Sequence, residues 1–394
     1  MFVNNYFSIK LIRFFMQLIG MWPSKNKVQI LLSNFILFYT IFTMVFATMI
    51  EGMDLYYSWG DIKAITFCAP CASVVFSTLG QLATFVYHRN EVLNFNSYTE
   101  ETFWKIQYNN RDMIILKKCN QICTFSCIGL TTLLQTIAWH YVTMPIIESE
   151  GNNVSERTLP FNLWFNIPYK ETPFYEIIYF LQSIATFSTC ICCTTFANFL
   201  FLINIFTAGQ FQILQNKLQD SCSVTNNSES KCKLNNNSYE KLKNCIQFHQ
   251  LLIKYIERIE NLYSYCVLGQ VFTSVMQICF SGFQIILGVG NSFNGTMLSV
   301  EYFLGSFLQL YFFAWSSHQI ILESESIKLA IYKSKWYNEG RHFRQSINIL
   351  MLKSNRPCVL SVGKFTPLSL DTFTAVAKTG LSYFTVLRQM TEEE

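Results

Sequence analysis

The sequence predicts an all-α integral membrane protein with seven transmembrane helices, its N-terminus cytoplasmic and its C-terminus extracellular. Three observations lead there. The 394 residues are 51% hydrophobic and only 14% charged, where soluble domains carry about 25% charged residues. Seven stretches are apolar over the roughly 20 residues that a helix needs to cross a bilayer. Lysine and arginine crowd into every second connection, as they do in cytoplasmic loops.

Taken in order, stretch 1–22 is apolar but interrupted by Lys10 and Arg13. With no clear small-residue cleavage site it reads as an interfacial helix, not a signal peptide. The first span is 28–50. The second, 64–88, carries Pro70, a place for a kink. The third is 121–147. The fourth, 177–210, begins a charge-free run reaching Asn216, so its helix projects beyond the membrane. The fifth, 263–289, ends in a turn made by Gly288, Gly290, Asn291 and Gly295. The sixth is 302–322 and the seventh 368–389. Segment 220–238, rich in Ser, Asn and Lys, reads as a polar cytoplasmic insert. Stretches 89–118, 239–258 and 323–352 read as helices that extend the spans into a cytoplasmic anchor region. The whole chain, 1–394, is one membrane domain.

The connections on the N-terminal side hold 24 lysines and arginines and the opposite connections hold three, Lys63, Arg157 and Lys170. That bias sets the orientation, which is opposite to that of a G-protein-coupled receptor. Two signatures of that class are also missing: an Asp-Arg-Tyr after the third span and an Asn-Pro-x-x-Tyr in the seventh. Of four glycosylation sequons, Asn153 and Asn294 fall outside and Asn226 and Asn236 inside. Glycan is expected on Asn153.

Catalytic chemistry finds no footing. No Ser-His-Asp order, Gly-rich phosphate loop or paired carboxylates stand out, so no catalytic residue and no cofactor are expected. Of the 14 cysteines, Cys68, Cys71, Cys190, Cys192 and Cys193 lie inside apolar spans, where Cys acts as a small hydrophobe. The five histidines are scattered, and zinc needs four converging ligands, so no metal site is expected. No basic patch with a nucleic-acid fold signature is present. A transporter would call for inverted repeats, and none is clear. His140 and Trp139, near the outer end of the third span, are placed to touch a ligand or to pack as a core pair.

The last span carries Asp371 and Lys378. Charges at membrane depth are costly, so such a helix faces protein or water, not lipid. Helical spacing gathers Thr372, Ala375, Thr379, Ser382, Val386 and Gln389 on one stripe. Small and polar, it suits a pore wall.

The final third of the chain resembles the insect odorant receptors. The resemblance rests on Ser326-Ile-Lys-Leu-Ala-Ile-Tyr-Lys-Ser-Lys-Trp-Tyr337, on Arg344-Gln-Ser-Ile-Asn-Ile-Leu-Met-Leu352, on Pro357, and on the last span from Ser369 to Gln389. The related gustatory receptors end in Thr-Tyr, five residues, Gln-Phe. Here Tyr383 and Gln389 keep that spacing, but Ser382 and Met390 replace the outer pair, which favours the odorant branch over a gustatory-type channel.

The resemblance implies the ligand-binding subunit of an odorant-gated, non-selective cation channel. It implies a heterotetramer with a shared coreceptor (Orco), set in the plasma membrane of sensory dendrites. Matching the terminal motif, Val386 falls on the hydrophobic gate and Gln389 on a polar ring just outside it, with Ser382 and Thr379 below. An apolar ring closes a pore by dewetting. Lys378 lies about 12 Å below Val386 at 1.5 Å per residue. A small volatile ligand is expected in the outer half of the bundle. By position its contacts are Val75, Thr78, Thr132, Gln135, Trp139, Phe180, Ile184 and Tyr302; the run 132, 135, 139 keeps one helical face.

Overall fold

The computed structural model describes residues 3–22, 26–149, 158–161, 171–221, 231–288 and 293–392. Ten α-helices carry the described fold: α1 Phe7–Leu18, α2 Lys27–Tyr57, α3 Ile62–Tyr87, α4 Arg89–Thr99, α5 Asn110–Ser149, α6 Phe174–Ser221, α7 Lys231–Gly288, α8 Phe293–Lys333, α9 Arg341–Ser354 and α10 Leu370–Glu392. Six of them, α2, α3, α5, α6, α7 and α8, are long and apolar enough to cross a membrane. The seventh crossing is left to α10, which at 23 residues is long enough to span but too polar on one face to read as a lipid-facing helix.

The spans are cores of longer helices. α6 runs 48 residues and α7 58, far beyond a bilayer's thickness at 1.5 Å per residue. Pro70 and Pro145 lie inside unbroken helices. Within the polar stretch 220–238, Lys231 already begins α7, while 222–230 lie outside the described residues. Helix α8 stops at Lys333, and α9 begins only at Arg341, so the helical stretch expected over 323–352 is broken in the middle.

Helix α6 is the axis of the bundle. From Cys192 to Phe211 it is buried on every face, as expected of a helix that is apolar all round and enclosed by others. By contrast α2 exposes Leu31, Phe35, Phe38 and Phe42, a lipid-facing stripe. Lipid tails are as apolar as these side chains, so packing and polar contacts hold helices together in a membrane. Several such contacts join helices here. Gln81 donates to Gln270 at 3.1 Å, Asn198 to Thr131 at 2.9 Å, and Asn204 to Ser316 and Ser317 at 3.1 and 3.2 Å.

The N-terminus does more than lie along an interface. Ile9, Ile12 and Met16 of α1 are buried against the bundle, and Trp22 stacks on Trp104 with ring centroids 6.2 Å apart. At the same end, Phe343, Ile347 and Leu350 seat α9. A two-stranded hairpin, Ser361–Val362 paired with Thr366–Pro367, then leads into α10. Its turn has φ +58° at Gly363 and +65° at Lys364. A Cβ at Gly363 would meet Leu268 at 2.7 Å, so the turn needs glycine both for its angle and for its closeness to α7. Glu260 of α7 accepts the Ser361 N–H at 2.8 Å and the Ser361 hydroxyl as well. The start of the last helix is thereby tied to α7.

Candidate ligand cavity and last helix

The end of the bundle that carries α1 and α9 has a packed core along α6; the opposite end encloses an apolar cavity. All the transmembrane helices but the last contribute to a cavity there. Ala47, Ile50 and Glu51 come from α2, Cys71, Val74 and Val75 from α3, and Leu134, Ile137 and Ala138 from α5. Helix α6 adds its Gln182–Cys193 face, α7 adds Gln277, and α8 adds Tyr302, Gly305, Ser306 and Gln309. The cavity volume is ≈ 60 Å³. One water needs about 10–15 Å³ of such space, so several waters or one compact ligand fit.

Local sequence explains the hollow. Along α6 the facing residues are Ala185, Thr186, Thr189, Cys190 and Cys193, small side chains at helical spacing that leave room where Phe and Leu fill the lower half. Opposite them stand Ala47, Ala138 and Gly305. Beyond Cys193 the core turns aromatic: Phe85 packs on Phe196 at 4.6 Å and edge-on to Tyr263 at 5.2 Å. The roof is Phe161, held by Gln182, which accepts its N–H at 3.2 Å and donates to its carbonyl at 3.1 Å. His140 of α5 meets Glu301 of α8 at 3.0 Å beside the cavity, so its partner is a carboxylate and it is absent from the lining. The lining is apolar with a few polar groups, the usual make-up of small-molecule sites.

Of the expected ligand contacts, Val75 and Tyr302 line the cavity. Thr78 is buried one turn below Val74, to whose carbonyl it donates at 2.7 Å. Thr132, Gln135, Trp139, Phe180 and Ile184 stand outside the lining. Trp139 is 64% exposed and rests on Phe187 with ring centroids 6.0 Å apart; Phe180 is 65% exposed. Thr132 is exposed and spends its hydroxyl on Ile128 and Gly129 carbonyls. The physical reason is phase. A helix turns 100° per residue, so 132, 135 and 139 share one face of α5 while 134, 137 and 138 are the positions turned to this cavity. The same slip separates Phe180 and Ile184 from Gln182, Ala185 and Thr186.

The last helix has two faces. Phe373, Ala377, Gly380 and Phe384 turn inward. A Cβ at Gly380 would meet Ile278 of α7 at 2.9 Å, and one at Gly282 of α7 would meet Phe384 at 3.5 Å. From α8, Phe307 and Tyr311 pack edge-on to Phe373 at 5.2 and 5.7 Å. On the opposite face Thr379, Ser382, Val386 and Gln389 are all exposed, Val386 by 51%. Lys378 is exposed on that face too.

Two features escaped the sequence reading. One is Glu51, a carboxylate only 1% exposed that lines the cavity; its signal was an acid embedded in an apolar helix. The other is the small-residue stripe of α6, legible as Ala and Thr at three- and four-residue spacing. Asn153 lies outside the described residues, and Asn294 sits half-buried in the first turn of α8. Among the described residues no group of His, Cys, Asp and Glu could hold a metal ion.

Comparison with known proteins agrees with this architecture. The family described as "7tm Odorant receptor" matches residues 63–380. Odorant receptor Or2 of Anopheles gambiae is 22% identical over 341 residues, 86% of this chain and 88% of that protein. Odorant receptor 13a of Drosophila melanogaster is 27% identical over 290 residues, 68% of this chain and 67% of that one. Among solved structures, the insect olfactory receptor OR5 from Machilis hrabei in complex with eugenol superposes with a TM-score of 0.83. The identity there is 17%, with 97% of each chain covered. Most of the seven-helix chain is thus accounted for by one receptor family: this protein belongs to the seven-transmembrane odorant receptors.

Proposed function

We propose that this chain is the odorant-binding subunit of a ligand-gated, non-selective cation channel. In this reading a small volatile organic molecule occupies the cavity, and the open face of α10 lines the pore. Val386 forms an apolar ring that closes by dewetting, with Gln389 above it and Ser382 and Thr379 below. A polar face bearing a lysine is untenable against lipid; it asks for water or neighbouring subunits. Four chains around one axis give it both. The partner subunit is a shared coreceptor (Orco), and the membrane is the plasma membrane of the sensory dendrite. The lysine- and arginine-rich connections favour a cytoplasmic N-terminus.

One observation carries the reading: the cavity and the last helix share their supports. Helix α7 gives Gln277 to the cavity and the very next residue, Ile278, to Gly380 of α10. Helix α8 gives Tyr302, Ser306 and Gln309 to the cavity while Phe307 and Tyr311 hold Phe373. A ligand that presses α7 and α8 apart therefore shifts the seat of α10. It gates only if it binds the open arrangement more tightly than the closed one.

The test is whole-cell current under an odorant panel, with the chain expressed alone, with the coreceptor, and with the coreceptor plus Val386→Ala. Odorant-evoked cation current that needs the coreceptor, and whose basal level changes in Val386→Ala, is the expected result. A chain that reaches the surface but drives only a G-protein reporter contradicts it.

A further inference from the structure

Glu51 is the cavity's odd member. It sits near the hollow end of α2, 1% exposed, among Ile50, Cys71 and Val75. Its Oε1 accepts from the Cys71 thiol at 2.9 Å. Its Oε2 is buried and has no hydrogen-bond partner. One turn on, Asp54 is buried as well and faces the Cys68 thiol at 3.3 Å. No lysine, arginine or histidine lines the cavity. Three lining hydroxyls are already engaged: Thr186 donates to the Gln182 carbonyl at 2.9 Å, Thr189 to that of Ala185 at 2.9 Å, and Ser306 to that of Phe303 at 2.9 Å. None of these hydroxyls reaches Glu51, whose Oε2 stays buried without a donor at the wall of an apolar cavity.

A buried carboxyl oxygen without a donor is costly. A bound ligand that supplies the donor removes that cost, and a charge-assisted N–H to carboxylate bond is about twice as strong as a neutral one. We propose that the cavity selects small volatile amines, the ligand nitrogen donating to the Glu51 carboxyl group while its hydrocarbon body lies between Val75, Ala138 and Ala185. This deepens the channel reading above and rests on it. One buried acid in the lining, a second one turn away and no base in the lining make the cavity more favourable to an amine than to a carboxylic acid of the same size. Sites built to pair a polar group reject analogues that lack it far more strongly than apolar pockets reject a change of shape.

The experiment measures current from the chain co-expressed with the coreceptor, using three probes of one shape: benzylamine, benzyl alcohol and toluene. Surface labelling is done on every variant. The half-maximal concentration is expected to be lowest for benzylamine, below toluene by about tenfold or more. Glu51→Gln, which keeps the shape and loses the acid, should raise the benzylamine value by about tenfold and move toluene by less than about twofold. Glu51→Asp, which keeps the acid, should restore the order of preference. The inference is overturned if the wild-type chain answers toluene as well as benzylamine, or if Glu51→Gln shifts both probes alike. It is also overturned, alone, if neutral odorants evoke current and benzylamine does not. Failure of every odorant in a broad panel at normal surface level overturns the channel reading, and this inference with it. The wild-type ranking needs no variant, so poor folding of Glu51→Gln leaves the proposal testable.

Discussion

The two ends of the bundle are built from the same helices and packed in opposite ways. At the end that carries α1 and α9, α6 buries large side chains of its own such as Phe199, Phe211 and Leu214, all at 0–1% exposure. Its polar groups reach across to partners: Gln212 and Gln215 donate to Glu323 of α8 at 2.6 and 2.9 Å, and Gln210 to Tyr108, just before α5, at 3.0 Å. At the other end the same helix offers Ala185, Thr186 and Thr189 to an open cavity. There its hydroxyls bond within their own helix. One end is interlocked and fixes the bundle; the other has room for its helices to adjust to a guest. Interiors packed to crystal density switch between discrete arrangements, so a moving part needs a void beside it.

That contrast is open to attack by substitution. The largest effect is expected for Phe211→Ala at the solid end. It removes a fully buried ring and costs about 3–5 kcal/mol, read as loss of surface-labelled protein. A variant that reaches the surface normally would say that the solid end is not the anchor. Glu323→Ala comes next. It strands the Gln212 amide donor at about 1–3 kcal/mol, while Gln215 keeps its 2.8 Å bond to the Glu323 backbone carbonyl, so surface level should fall partway and Glu323→Gln should recover some of it. At the hollow end the outcome changes in kind. Ala185→Leu fills space that is already empty, so surface level should hold. The half-maximal odorant concentration should then rise by about tenfold for large odorants, and less for small ones. The smallest effects are expected for Trp139→Ala and Thr132→Ala, outside the lining. Exposed positions usually change free energies by less than about 0.5 kcal/mol, or about twofold in the odorant concentration needed.

The same contrast shows how far a sequence can be read. Spans were legible because a bilayer demands about 20 apolar residues and tolerates few charges. That rule acts locally, so the first six apolar runs fall on six long helices, α2, α3, α5, α6, α7 and α8. The ends of helices were not legible, since outside the bilayer nothing so strict applies: α8 breaks at Lys333 and resumes as α9. The inward and outward faces of α10 were legible for a related reason. Its polar stripe, Thr379, Ser382 and Gln389, stands against the inward Phe373, Gly380 and Phe384. In α5 and α6 no such contrast exists. Leu134, Ile137 and Ala138 face the cavity and Trp139 faces away, and all are apolar. Hydropathy cannot give the phase of a helix that has lipid on one side and an apolar cavity on the other.

In the proposed mechanism the cavity acts on α10 through α7. Ile278 and Gly380 are the closest point of that contact, a Cβ at Gly380 lying 3.1 Å from that of Ile278. Disulfide Cβ atoms stand about 3.8 Å apart, so the double variant Ile278→Cys/Gly380→Cys needs only a small adjustment to close. The direct measurement is odorant-evoked current from this variant with the coreceptor, oxidised and then reduced, against each single variant. The account expects current that disappears on oxidation and returns on reduction, with surface level unchanged. Equal current with the cross-link formed and verified would contradict it, because the last helix would then open without parting from α7.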